Sequence, residues 1–129
     1  MERELFTKLE RWMRKKNRKP LIIQGARQVG KTWIMKEFGA RFYENTVYIN
    51  FDNNKAMKDV FELDFDLKRI LSAIKIEYGK SFQAENTLII FDEIQEVTNW
   101  EKCINSLRVE MDCDIYITGS NARLLSGSR

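Results

Sequence analysis

Residues 25–32 of the chain have the types and the spacing needed to hold a phosphate group. They match the pattern G-x-x-x-x-G-K-[ST], between an apolar segment and a segment that favours a helix. Glycines let the backbone turn its N–H groups toward a phosphate, and the start of the following helix adds its positive dipole end. The Lys31 ammonium would reach the β- and γ-phosphates of a nucleotide, and the Thr32 hydroxyl would ligate Mg²⁺. The residues expected to bind the nucleotide are Gly25, Ala26, Arg27, Gln28, Val29, Gly30, Lys31, Thr32 and Trp33.

Two adjacent carboxylates, Asp92 and Glu93, follow an apolar segment at residues 88–91. Carboxylates held side by side carry an electrostatic cost that a bound metal relieves. Asp92 fits the group that holds Mg²⁺ through its water shell, and Glu93 fits the base that orients or deprotonates an attacking water. Glu93 and Lys31 are therefore the candidate catalytic residues, and Thr32 and Asp92 are the candidate metal ligands.

A third polar group, Thr118-Gly119-Ser120-Asn121, ends a predicted strand at residues 115–118 with three small polar side chains, and Ser120 and Asn121 are the candidate binding residues among them. Their hydroxyl and amide groups can hydrogen-bond a γ-phosphate or position a water. Ser and Asn are also favoured helix N-caps, so a purely structural role is an equal alternative, and the two roles are compatible.

Composition excludes several other kinds of site. The 129 residues include no histidine, which removes Ser-His-Asp and Cys-His catalysis, and the two cysteines argue against a zinc cluster or a disulfide framework. No apolar run approaches the roughly 20 residues that a membrane helix needs, and the first 20 residues are too charged for a signal peptide. A cytoplasmic protein without a membrane segment is expected.

The net charge of +3 is unevenly distributed, because the first 20 residues alone carry a net charge of +5. We expect residues 1–19 to form a basic amphipathic helix within one domain that spans residues 1–129. Its basic part, residues 11–19, would suit nucleic acid or another acidic partner. The simpler interpretation is a solvent-exposed helix end, where the negative end of the helix dipole stabilises basic side chains.

Periodicity predicts alternating strands and helices along the rest of the chain. Strands are predicted at residues 21–24, 47–51, 87–93 and 115–118, and helices at residues 32–42 and 67–78 and after a capping box at residues 98–101. Trp33 and Trp100 are predicted to pack in the core rather than to stack on a base. This alternation favours a mostly parallel sheet covered on both faces, whose ligands bind at the carboxyl ends of the strands.

The segments GARQVGKT, YINFD, IIFDEIQ and YITGSNARLL together resemble the prokaryotic AAA-type P-loop ATPases that carry a C-terminal domain of unknown function. The resemblance implies ATP and Mg²⁺ as cofactors, and a three-layer α/β sandwich of the additional-strand, catalytic-glutamate class. In that class the sensor strand lies between the P-loop strand and the Asp-Glu strand. It also implies that residues 25–32 are Walker A, that Asp92 and Glu93 are Walker B, and that Ser120 or Asn121 is the sensor.

Members of that family continue beyond the sensor strand, whereas this sequence stops at Arg129. The chain is therefore expected to be an ATPase core that lacks a fifth strand and a C-terminal domain or protein partner. An arginine that completes the site would come from the same chain or from a neighbour in a homo-oligomer. The candidates are Arg27, Arg108, Arg123 and Arg129.

Three kinds of activity remain open at this point. The first is ATP hydrolysis coupled to a conformational change in a partner, and the second is a nucleotide-dependent switch with little turnover. The third, phosphate transfer to a small acceptor, is disfavoured because a base beside the metal ligand suits attack by water.

Overall fold

Helices and strands alternate along the part of the chain that the computed structural model describes, which is residues 2–16, 21–24, 31–64, 66–78, 86–102, 105–106 and 114–119. The helices are α1 (Glu2–Met13), α2 (Lys31–Phe42), α3 (Lys55–Leu63) and α4 (Leu67–Tyr78). The strands are β1 (Leu21–Gln24), β2 (Asn45–Asn50), β3 (Thr87–Asp92) and β4 (Asp114–Gly119). A 3₁₀ turn at Ile94–Glu96 follows β3, and residues 100–102 and 105–106 are helical.

All four described strands are parallel and are ordered β1-β4-β3-β2 across the sheet. The last strand in sequence therefore lies between the first and the third, as the family resemblance implies. The register pairs Gln24 with Gly119 and Asp92 with Thr118. The carboxyl ends of β1, β3 and β4 consequently lie side by side, and we call this side of the sheet its carboxyl edge.

Two apolar cores cover the two faces of the sheet. On one face Leu88 and Ile90 of β3 pack against α1 and α2, and on the other face Ile89 and Phe91 pack against α3 and α4. Successive side chains of a strand point to opposite faces, so a strand buried on both faces is apolar throughout. The predicted three-layer α/β architecture is confirmed.

Most element boundaries lie within two residues of the predicted ones, but the first helix is shorter. Helix α1 ends at Met13, residues 14–16 form a turn and a bend, and residues 17–19 lie outside the described residues. Arg14 in that turn pairs with Glu10 at 2.9 Å. Trp12 packs edge-on against Tyr116 of β4, with ring centroids 4.8 Å apart, so α1 is part of the domain core.

Helix α3 is an element that the sequence analysis does not predict. The Asn54 side chain caps it by accepting a hydrogen bond from the Met57 N–H at 3.1 Å, and Met57 and Phe61 are buried. Its Glu62 accepts the Thr98 N–H at 2.9 Å. A capping box at residues 98–101 would direct that N–H to Glu101, so the predicted capping box is wrong: a contact from α3 takes the place of the local pair.

The two tryptophans predicted to lie in the core differ. Trp100 is 4% exposed, which confirms the prediction, whereas Trp33 is 61% exposed, so the prediction for Trp33 is wrong. The buried face of α2 carries Ile34, Met35 and Phe38, and Trp33 lies outside that stripe. The other residues of the predicted helical face after Trp100, which are Cys103, Ile104, Leu107 and Met111, lie outside the described residues.

Candidate functional site

Asp92 and Thr32, the two candidate metal ligands, lie together although 60 residues separate them in sequence. Asp92 is the last residue of β3 and Thr32 is the second residue of α2. The Thr32 hydroxyl donates to Asp92 Oδ2 over 3.4 Å. The contact joins the helix that follows the predicted phosphate loop to the carboxyl end of the central strand.

The oxygens at this point fit a magnesium ion in their chemistry. Mg²⁺ binds hydroxyl and carboxylate oxygens and usually takes only one or two of them from the protein, with phosphates and water as the other ligands. Thr118 lies beside Asp92 in the sheet, and its buried hydroxyl oxygen has no hydrogen-bond partner among the described residues. A buried polar atom of this kind is satisfied by a water or a ligand. Thr32 and Asp92 would hold the ion, which would supply positive charge against the phosphates of a nucleotide.

Tyr48 of β2 is a site residue that the sequence analysis misses. Its hydroxyl donates to Asp92 Oδ2, the same oxygen that Thr32 contacts, and the Lys36 ammonium lies 4.3 Å from the centre of its ring. Burial, and then the hydrogen bond to the Asp92 carboxylate, raise the pKa of Tyr48 to about 12. Tyr48 therefore remains a hydrogen-bond donor to Asp92 throughout the neutral pH range. The sequence signal is a tyrosine within a strand, which is equally typical of core packing.

Glu93 lies in an unusual backbone conformation directly after β3. Its φ of 55° and ψ of 45° are left-handed, and its side chain is only 7% exposed. A left-handed residue other than glycine carries a conformational cost, and such residues are concentrated at functional sites. Gln95 Nε2 donates to Glu93 Oε1 at 2.7 Å. The candidate base is thus held by a buried hydrogen bond within the turn that follows the strand.

Several predicted binding residues lie outside the described residues. These are Gly25, Ala26, Arg27, Gln28, Val29, Gly30, Ser120 and Asn121. The arginines considered for completing the site, which are Arg27, Arg108, Arg123 and Arg129, also lie there. The residues that flank the predicted phosphate loop and the predicted sensor segment are described. Gln24 at the end of β1 pairs with Gly119 at the end of β4, and α2 begins at Lys31. Both predicted loops therefore start from neighbouring positions at the edge where Asp92 lies.

Comparison with known proteins finds one family model and two curated relatives. A family model described as an AAA domain matches residues 17–129. An uncharacterized protein of Haemophilus influenzae is 35% identical over 116 residues, which is 82% of this chain and 26% of that protein. An uncharacterized protein of Methanocaldococcus jannaschii is 32% identical over 106 residues, which is 81% of this chain and 22% of that protein. The chain spans about a quarter of the length of these relatives.

Proposed function

Because the chain belongs to the AAA domain family, we propose that it binds ATP with Mg²⁺ and hydrolyses it to ADP and phosphate. Nucleotide binding is a general property of this family. The identity of the nucleotide as ATP, the metal as Mg²⁺ and the reaction as hydrolysis are what we propose. The observation that supports it most is the contact of Thr32 with Asp92, 3.4 Å apart at the carboxyl edge of the sheet. Neither residue is close to the other in sequence, and together they supply the oxygens that a nucleotide-bound Mg²⁺ needs.

Each candidate residue has a role in this reaction. Lys31 and the backbone N–H groups of residues 25–30 bind the phosphates, and Thr32 and Asp92 hold the metal. Ser120 and Asn121 hydrogen-bond the γ-phosphate. These roles bring the γ-phosphorus and a water molecule within reach of Glu93.

The chemical step is an in-line displacement at the γ-phosphorus. A bond forms between the water oxygen and phosphorus, and the bond from phosphorus to the bridging oxygen breaks, so that ADP leaves with the electron pair. The water proton passes first to the Glu93 carboxylate, which later releases it to solvent. We expect this hydrolysis to drive a conformational change in a C-terminal domain or a protein partner in the cytoplasm.

Substitution of Lys31 tests the nucleotide-binding half of the proposal. Lys31→Ala removes the cation that contacts the β- and γ-phosphates, so the affinity for ATP should fall by about 100-fold or more. Isothermal titration calorimetry with ATP and Mg²⁺ measures the change. Lys68→Ala, an exposed lysine of α4 on the opposite face of the sheet, is the matched control and should bind like the wild type. Undiminished affinity of Lys31→Ala would contradict the assignment of the phosphate loop.

A further inference from the structure

Gln95 is a buried polar residue close to Glu93 that has no role in the reaction described above. It lies in the 3₁₀ turn after β3, is 5% exposed, and donates from Nε2 to Glu93 Oε1 at 2.7 Å. Side chains two residues apart do not face each other on a helix. Here the left-handed conformation of Glu93 and the 3₁₀ turn bring the two side chains together. Ile94 and Val97, both fully buried, anchor this turn in the core.

The bond to Glu93 fixes the orientation of the Gln95 carboxamide. An ionised carboxylate only accepts hydrogen bonds, so Gln95 must present its NH₂ group to Glu93. The carboxamide oxygen, Oε1, is then directed elsewhere, and it is buried without a hydrogen-bond partner among the described residues. A buried acceptor without a donor carries a desolvation cost, and an incoming O–H group removes that cost. Gln95 thus donates a hydrogen bond to the candidate base from Nε2, and its Oε1, two bonds from that nitrogen, remains an unused acceptor.

We propose that Gln95 is a positioning residue for the attacking water. Its Nε2 holds the Glu93 carboxylate, and its Oε1 accepts one O–H of the water whose other O–H faces Glu93. A carboxamide does not take up a proton at neutral pH, so the proton still passes to Glu93 alone. Two acceptors on one water fix the direction of its oxygen lone pair, which must point at the γ-phosphorus. This role rests on the proposed function, since it requires that Glu93 act on water.

Gln95→Met tests the proposal, because methionine keeps the length of the side chain but lacks the NH₂ donor and the amide oxygen. We expect kcat for Mg²⁺-dependent ATP hydrolysis to fall about 10- to 100-fold, as when a supporting group is lost from a site. KM and the affinity for ATP should stay within about 2-fold, because Gln95 contacts the reacting water and not the nucleotide.

Val97→Ala is the matched control for packing, because it removes buried methyl groups from the same turn without changing the carboxamide. Circular dichroism checks that both variants fold. If Val97→Ala lowers kcat as much as Gln95→Met does, the effect is loosening of the turn and the proposal is overturned. An unchanged kcat in Gln95→Met also overturns it.

Two further measurements separate this proposal from the proposed function. In the Glu93→Gln background, Gln95→Met should cause no additional loss of kcat, since Gln95 acts with Glu93 on the same water. Independently of activity, ¹⁵N NMR of the full chain should show a downfield side-chain N–H of Gln95 that disappears in Glu93→Ala. Absence of that signal in the wild type overturns the role of Gln95 alone. A wild-type chain without Glu93-dependent turnover overturns the proposed function, and the role of Gln95 in hydrolysis with it.

Discussion

Asp92 is the residue at which the contacts of the candidate site converge. Its Oδ2 accepts hydrogen bonds from Thr32 of α2 and from Tyr48 of β2. A carboxylate that is held by neighbouring donors keeps one orientation, which lowers the cost of ordering it around a metal. We propose that the Tyr48 hydroxyl supports the metal site by holding this carboxylate and does not itself ligate the metal.

Tyr48→Phe removes only the hydroxyl and keeps the ring that packs beside Lys36. We expect the Mg²⁺ concentration for half-maximal ATP binding to rise about 10-fold, because the loss of such a supporting hydrogen bond typically weakens metal sites by that order. Calorimetric ATP titrations at a series of Mg²⁺ concentrations measure it.

Tyr43→Phe is the matched control for this change. Tyr43 also donates its hydroxyl to an aspartate, Asp114, but at the amino end of β4, away from the edge where Asp92 lies. It should leave the Mg²⁺ dependence unchanged. An equal shift in both variants would show that Tyr48 affects only stability and would remove its role at the metal site.

The sequence is sufficient to predict that Thr32 and Asp92 lie together and that Glu93 directly follows Asp92, because each follows a recognisable strand or loop signal. It does not reveal Tyr48, since the alternation in β2 does not say which face α2 covers. The bond between Gln95 and Glu93 depends on a positive φ at Glu93. Left-handed backbone is favoured by glycine and asparagine, so a glutamate gives no local sign of it.

At the scale of secondary structure elements, the position of the site depends on how closely α2 packs on β2. A Cβ added at Gly39 of α2 would lie 2.3 Å from Thr46 Oγ1 and 2.7 Å from Thr46 Cγ2. Only glycine allows this approach without movement of Thr46. Because the same helix carries Thr32, its packing on β2 contributes to the position of Thr32 beside Asp92.

Gly39→Ala should lower the free energy of unfolding by about 1–3 kcal/mol, the usual cost of overpacking. The clash outweighs the gain of about 1 kcal/mol that alanine brings over glycine inside a helix. Urea denaturation followed by circular dichroism measures the change.

Thr46→Ala supplies the control background for this prediction, because it removes both atoms that lie within 3 Å of the added Cβ. In that background Gly39→Ala should lose most of its cost, because only the Cβ of residue 46, at 3.1 Å, stays close to the added atom. If Gly39→Ala lowers the free energy of unfolding equally in the wild type and in Thr46→Ala, the cause is something other than contact with β2.

Element prediction from the sequence is accurate where an apolar segment has clear boundaries, and it fails for α3. Helix α4 and strand β1 match their predicted bounds, and β3 ends one residue before its predicted end. Helix α3 has only nine residues, and its start is set by the Asn54 cap in a segment that also reads as a turn. Its buried face forms against β2, β3 and α4, and contacts of this kind are not encoded in a short segment.

At the scale of the whole molecule, the alternation of elements predicts a parallel sheet but allows several strand orders. The family resemblance implies only that β4 lies between β1 and β3, and the observed order β1-β4-β3-β2 agrees with this and adds β2 beside β3. The carboxyl ends of these three strands then lie side by side, with Asp92 at the end of β3, Gln24 at the end of β1 and Gly119 at the end of β4. Among the described residues, no helix combines the length and the apolar character needed to cross a bilayer.

The proposed homo-oligomer makes a prediction at this scale as well. If an arginine from a neighbouring chain completes the site, as in related phosphoryl-transfer enzymes, the rate per chain should increase with protein concentration. A rate per chain that is constant across the concentration range, in a chain that hydrolyses ATP, would mean that each chain completes its own site.

The most direct test of the central claim is the rate of Mg²⁺-dependent ATP hydrolysis by the full chain, with Glu93→Gln measured alongside. We expect wild-type turnover that Glu93→Gln lowers by at least about 100-fold while ATP binding persists, because the variant loses the base but keeps the groups that bind phosphate and metal. Glu77→Gln controls for the loss of one exposed carboxylate on α4 and should turn over like the wild type. A wild-type rate equal to that of Glu93→Gln, in folded protein that binds ATP with Mg²⁺, would contradict the account.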